Sequence, residues 1–202
     1  MVVAALFATA ALAGDNPAGH YVLRGVMEVG SELLLRPDGT FEYMLAYGAA
    51  DYEASGTWKV DGDAVVLTTG GAEKQAFRLI RSAAVKGDGI RVIVKGPGGE
   101  PADHIDVGIK TGAGYLNTTT DDNGVAQFTT KSTATAVAFR IPVYQYAAGP
   151  FAVDPQHNEF QFEIDGTAIT RVAFKGERLK ISGKTLEMRF WDHDKVMNYE
   201  KQ

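Results

Sequence analysis

The chain has 202 residues, a formal net charge of −5, 45% hydrophobic residues, 23 Gly and no Cys. That describes one globular fold or two small ones and excludes a disordered chain. The missing Cys excludes disulfides, a thiol nucleophile, Cys-ligated zinc, iron–sulfur clusters and a lipid anchor carried on Cys, and the acidic balance argues against nucleic acid or anionic membrane as partner.

Residues 2–13 read VVAALFATAALA, an apolar run that ends in Ala11-Leu12-Ala13 and leaves through Gly14-Asp15-Asn16-Pro17. The run falls short of the ~20 apolar residues that span a bilayer. Small residues before a polar exit are the pattern of a cleaved signal peptide over 1–13, with no Lys or Arg ahead of it. A buried Ala-rich helix is the alternative. Export implies a periplasmic or secreted bacterial protein that begins near Gly14, with no membrane span. Asn117-Thr118-Thr119 matches a glycosylation sequon, which in a bacterial protein reads as coincidence.

Beyond residue 14 the dominant period is two. Phe41, Tyr43, Leu45 and Tyr47 alternate with Glu42, Met44 and Ala46; the pattern returns at Trp58 and Val60, Val65 and Leu67, and Phe77 and Leu79. It continues through Val92 and Val94, Phe160, Phe162 and Ile164, Leu179 and Ile181, and Leu186, Met188 and Phe190. Such alternation marks strands with one buried face, and no helical stripe of useful length competes with it. Turn signals separate the runs: Pro37-Asp38-Gly39, Asp61-Gly62-Asp63, Gly70-Gly71, Gly96-Pro97-Gly98-Gly99, Asp122-Asn123-Gly124, Asp165-Gly166 and Ser182-Gly183. The Gly excess is turn chemistry. Short strands joined this way predict an antiparallel barrel or sandwich. Seams fall near Lys86-Gly87-Asp88-Gly89 and across Ala147-Ala148-Gly149-Pro150 through Val153-Asp154-Pro155-Gln156-His157, and the section between is rich in Thr, which suits edge strands or exposed faces.

Ser31-Glu32-Leu33, Asp38-Gly39-Thr40-Phe41, Tyr47–Asp51, Ser55-Gly56-Thr57-Trp58 and Val65-Val66-Leu67 together resemble the opening of small lipocalin-like proteins of bacterial envelopes. The resemblance implies an up-and-down barrel in which Trp58 fills the floor. Ile90-Arg91-Val92, Gly98-Gly99-Glu100-Pro101, Val107, and Thr120-Asp121-Asp122-Asn123-Gly124 followed by Phe128 resemble the carboxypeptidase-regulatory-like or transthyretin-like sandwich. That resemblance implies a module that binds, spaces or presents. The tail reads as strands at Glu159–Ile164, Ala168–Phe174, Arg178–Ile181 with Thr185–Phe190, and Lys195–Tyr199, and its last strand resembles the close of the same barrels. About six N-terminal strands plus the tail would reach the eight of a closed barrel. The expected fold is therefore all-β: a lipocalin-like antiparallel barrel (14–86 plus 158–202) carrying an inserted small β-sandwich (87–157), with sequential domains as the alternative.

Motifs for chemistry are sparse. Asp103-His104-Ile105-Asp106 and Asp192-His193-Asp194 read as polar turns, since strand neighbours point to opposite faces. Gly183-Lys184-Thr185 lacks the earlier Gly of a phosphate loop. Asp121-Asp122-Asn123-Gly124 lacks the distal Glu of a calcium loop. There is no Gly-x-Ser-x-Gly elbow. No cofactor or metal is expected. Phe41, Tyr43, Tyr47, Tyr52 and Trp58 crowd one region, where they line a pocket for a small apolar ligand or simply pack a barrel core. Tyr144, Tyr146 and Phe151 read as a surface for docking one domain on the other, or a partner. The expected function is a non-enzymatic exported binding or envelope-associated module whose partner is a small apolar ligand or another envelope protein. A structural or protein-interaction role is the alternative; a hydrolase or isomerase using the barrel mouth is the rival from another class.

Overall fold

A computed structural model describes residues 16–189 and 196–202. The expected signal peptide, Phe190 and Asp192-His193-Asp194 lie outside the described residues. In β1 (Gly19–Arg24), β2 (Val29–Leu35), β3 (Thr40–Tyr47), β4 (Ala50–Asp61) and β5 (Ala64–Thr69), apolar side chains of one parity turn inward. The hairpin between β2 and β3 is closed by Asp38, whose carboxylate accepts from Thr40 N–H and Oγ1, and by Gly39 at φ 83°. Each of these five strands pairs antiparallel with its chain neighbour.

The chain then leaves the barrel. β6 (Phe77–Ala83), β7 (Ile90–Lys95), β8 (Asp106–Thr111), β9 (Gly114–Thr119), β10 (Val125–Phe128), β11 (Ala134–Ile141), β12 (Tyr146–Ala152) and β13 (Glu159–Ile164) build two separate four-stranded sheets. Their orders are β10-β7-β13-β6 and β12-β11-β8-β9. Inner-face residues of both sheets, among them Phe77, Val92, Val107, Ile109, Phe139 and Phe162, form one buried cluster, so the sheets are the layers of a sandwich.

After a short helix α1 (Gly166–Thr170), β14 (Lys175–Ser182), β15 (Thr185–Arg189) and β16 (Val196–Lys201) return to the barrel. β14 pairs with β5, and β16 closes on β1 with Tyr21 opposite Lys201. The result is a closed eight-stranded antiparallel barrel with its own core. With the excursion removed it is a plain meander, because β5 and β14 are neighbours in the wall.

The fold is all-β, as the alternation implies, with three differences of detail. β13 pairs with β6 on one side and β7 on the other, so residues 77–83 and 159–164 belong to the sandwich sheets, and the barrel takes five strands from the first half and three from the tail. Phe77, Phe160 and Phe162 are fully buried among sandwich residues, and that burial draws both strands there. Strands β13 and β7 run parallel. The expected strand at Ala168–Phe174 is α1 and an extended segment instead: Asp165 caps the helix, its side chain accepting from Thr167 N–H, an arrangement that competes locally with strand formation.

Candidate functional site

The barrel interior is occupied by side chains. Leu33, Leu35, Phe41, Tyr43, Leu45, Val65, Leu67, Leu179, Leu186, Met188 and Tyr199 are all buried there. A further contribution comes from the segment that returns from the sandwich. β5 ends at Thr69 while the early part of β4 continues past it, and residues 171–174 fill that gap. Val172 N–H donates to Glu53 O at 2.8 Å, Thr69 N–H to Phe174 O at 2.9 Å, and Thr69 Oγ1 to Val172 O at 3.0 Å. This lace carries Phe174 into the core, 3% exposed, with its ring 5.1 Å from Tyr43 and 5.9 Å from Phe41.

The polar atoms inside are matched. Ser31 Oγ donates to Met44 O at 2.6 Å, so Tyr199 Oη, 2.8 Å away, donates to Ser31, and Tyr43 Oη lies 3.4 Å from Tyr199 Oη. Burial raises both tyrosine hydroxyls above the usual phenol range, Tyr43 much the further, so both stay neutral. Among the described residues no buried side-chain nitrogen or oxygen lacks a hydrogen-bond partner. The network therefore reads as a packed polar seam of the core.

The five aromatic residues singled out from the sequence do not converge on one cavity. Phe41 and Tyr43 are core. Tyr47 is half exposed at the β3–β4 hairpin. Trp58 is half-buried at the opposite end of β4, its indole N–H donating to Arg36 O at 2.9 Å, and it closes that end of the barrel. Tyr52 packs edge-on against Tyr144, centroids 5.8 Å apart, and its hydroxyl donates to Tyr144 O at 3.3 Å. Of the second group, Tyr144 thus ties sandwich to barrel, while Tyr146 and Phe151 lie partly buried against the sandwich core.

The linkers are also tied. Arg171 donates to the carbonyls of Gly70, Gly71 and Ala72, Lys74 pairs with Asp165, and Lys175 with Glu73. Beside them the outer wall of β1–β4 forms an open groove of about 1020 Å³. Its floor carries His20, Glu32, Leu34, Glu42, Met44 and Glu53, and its rim Lys74 and Arg171. His20 Nε2 meets Glu32 Oε2 at 2.8 Å, and Arg36 meets Glu42 at 2.9 Å. The groove is open and lined largely by charged and polar side chains, unlike a closed apolar ligand pocket.

Sequence reasoning missed one cluster. Ser82 Oγ lies 2.5 Å from His157 Nδ1, and Asp154 Oδ2 is 4.0 Å from the same nitrogen. A relay needs the nucleophile and the carboxylate on different ring nitrogens, so this geometry pins the loop before β13 to β6. Asn158 does the same, bonding both Val85 N–H and Val85 O. The Asp103–His104 pair is exposed, 3.0 Å apart. Asp121 is held as a turn by the amides of Asn123 and Val125, which lower its carboxyl below the usual range. Among the described residues no three metal-ligating side chains converge, and no helix is long and apolar enough to cross a membrane. Comparisons with protein-family models, curated proteins and solved structures return no match to this chain.

Proposed function

We propose that the protein is a non-enzymatic exported module of the bacterial cell envelope that works through contacts with other proteins, its barrel acting as scaffold and not as vessel. One observation carries this reading: the barrel interior is packed by its own side chains, Phe174 of the return segment among them. A carrier of small apolar molecules needs an apolar cavity of roughly 300–1,000 Å³. The large concavity here is instead an open groove lined by His20, Glu32, Glu42, Glu53, Lys74 and Arg171 among others. Export is proposed from the Ala-rich run of residues 2–13 and its polar exit.

Native mass spectrometry of the full chain purified from its producing cell tests the reading. The expected result is protein without a bound small molecule, together with no saturable binding when the chain is titrated with an apolar fluorescent dye. A co-purifying lipid or metabolite, or one-to-one dye uptake by the native chain, would overturn it in favour of ligand carriage.

A further inference from the structure

The barrel closes on itself and exposes no edge, so edges open to another strand belong to the sandwich, and the fold treats them unequally. β6 carries Arg78 and Arg81 and is bulged, with Ile80 unmatched between the Gln161–Arg81 and Phe162–Leu79 pairs. β12 contains Pro150, which has no N–H, and a bulge against β11. β10 has only four residues. These are the devices that keep an edge from pairing. β9 has none of them: its six residues, Gly-Tyr-Leu-Asn-Thr-Thr, include no charge and no Pro, and its register with β8 is unbroken. Tyr115 and Leu116 on it are 71% and 38% exposed.

The parity of the ladder shows which groups face out. Thr120 N–H donates to Ile105 O at 2.9 Å, so Thr118, Leu116 and Gly114 exchange hydrogen bonds with β8. The main-chain groups of Tyr115, Asn117 and Thr119 then point away from the sheet. Three evenly spaced outward residues centred on Asn117 suit an antiparallel partner strand of the same sequence. In that register Asn117 faces Asn117 of a second copy, and Tyr115 faces Thr119. On β8, Lys110 lies beside Tyr115 and Asp106 beside Thr119. The two-fold thus keeps Lys110 and Asp106 one strand back from the seam, where the uncharged Tyr115 and Thr119 meet, so no like charges are brought together by pairing two copies.

We propose that two copies of this chain associate through their β9 edges, paired antiparallel about Asn117, to form a continuous eight-stranded sheet. This does not rest on the reading of the barrel as scaffold, because oligomeric state and dye uptake vary separately. Sedimentation of the full chain over rising concentration tests it, with Asn117→Lys and Asn117→Asp as variants at an exposed site. The native chain is expected to dimerise. Each variant places like charges opposite one another and weakens the dimer by at least about 100-fold. An equal mixture of the two variants restores it, since only there do opposite charges meet. Amide exchange on the native chain gives a second readout: Tyr115, Asn117 and Thr119 slow as concentration rises, while Leu116 and Thr118 are protected throughout. A native chain that stays monomeric, a dimer indifferent to Asn117→Lys, a mixture that fails to restore association, or exchange independent of concentration would each overturn the proposal.

Discussion

Tyr43 touches Phe174 on one side and Tyr199 on the other, and these contacts set the chemistry of the barrel core. Phe174 is the residue whose loss is most informative. Phe174→Ala removes a buried ring from a closed wall and is expected to cost about 3–5 kcal/mol, read by chemical denaturation. The same variant is expected to gain saturable uptake of benzene or xenon that the native chain lacks, because the void is apolar, enclosed and about the size of the lost ring. The two tyrosines predict a pH effect. Burial raises their folded-state values above the ~10 of an exposed phenol. A raised value means stability fully present below pH ~10 and lost as pH climbs above it. Thermal melts from pH 8 to 11 should show that loss, and Tyr199→Phe should lessen it while lowering stability at neutral pH by about 1 kcal/mol through the broken link to Ser31. A slope in Tyr199→Phe as steep as in the native chain would contradict this account.

At the scale of elements, the sites of closest backbone approach are the least tolerant. A Cβ on Gly56 would collide with the backbone of Thr68, Thr69 and Gly70, where β4 crosses β5. Gly56→Ala is therefore expected to destabilise the protein by about 1–3 kcal/mol in denaturant melts. Gly62, in the open β4–β5 hairpin, meets nothing nearby, although its φ of 64° still disfavours a side chain. Most strands were legible because one face is buried: Phe41, Tyr43 and Leu45 alternate with polar neighbours and all three are core. Partner choice was less legible. Phe77 and Phe162 show that a strand faces a core without showing which core, since a period of two is the same in barrel and sandwich. The segment at 168–174 was misread because Ile169, Val172 and Phe174 are all buried while the Asp165 cap redirects the backbone. The aromatic cluster of the first half was visible in the sequence; that Tyr52 docks on Tyr144 depends on contacts 92 residues apart, which local pattern does not encode.

For the whole molecule, the sandwich is an excursion from a hairpin. Asp165 N–H donates to Ala76 O at 2.8 Å, so the chain leaves and rejoins the barrel at adjacent points. Each body has its own buried cluster. Residues 76–165 expressed alone are expected to fold with a cooperative melt, since that piece retains all eight of its strands. Residues 14–86 alone are expected to remain unfolded by circular dichroism and amide exchange, because β1 and β5 would lose their partners β16 and β14. A cooperatively folded 14–86 fragment would contradict the meander.

The pairing of β1 with β16 has a consequence in time. The first strand of the barrel waits for the last, so the wall cannot close until β16 has emerged. The sandwich has all its strands within residues 76–165, its core taking only Ile169 and Ala168 from just beyond them, and is free to form earlier. Once formed, it brings Ala76 and Asp165 together, and β14 then meets β5 as if across a short turn instead of a long loop. The excursion that interrupts the barrel in sequence thereby shortens the search for its closure, and a lesion in the sandwich core should appear first as slow assembly of a barrel that the altered residue does not contact.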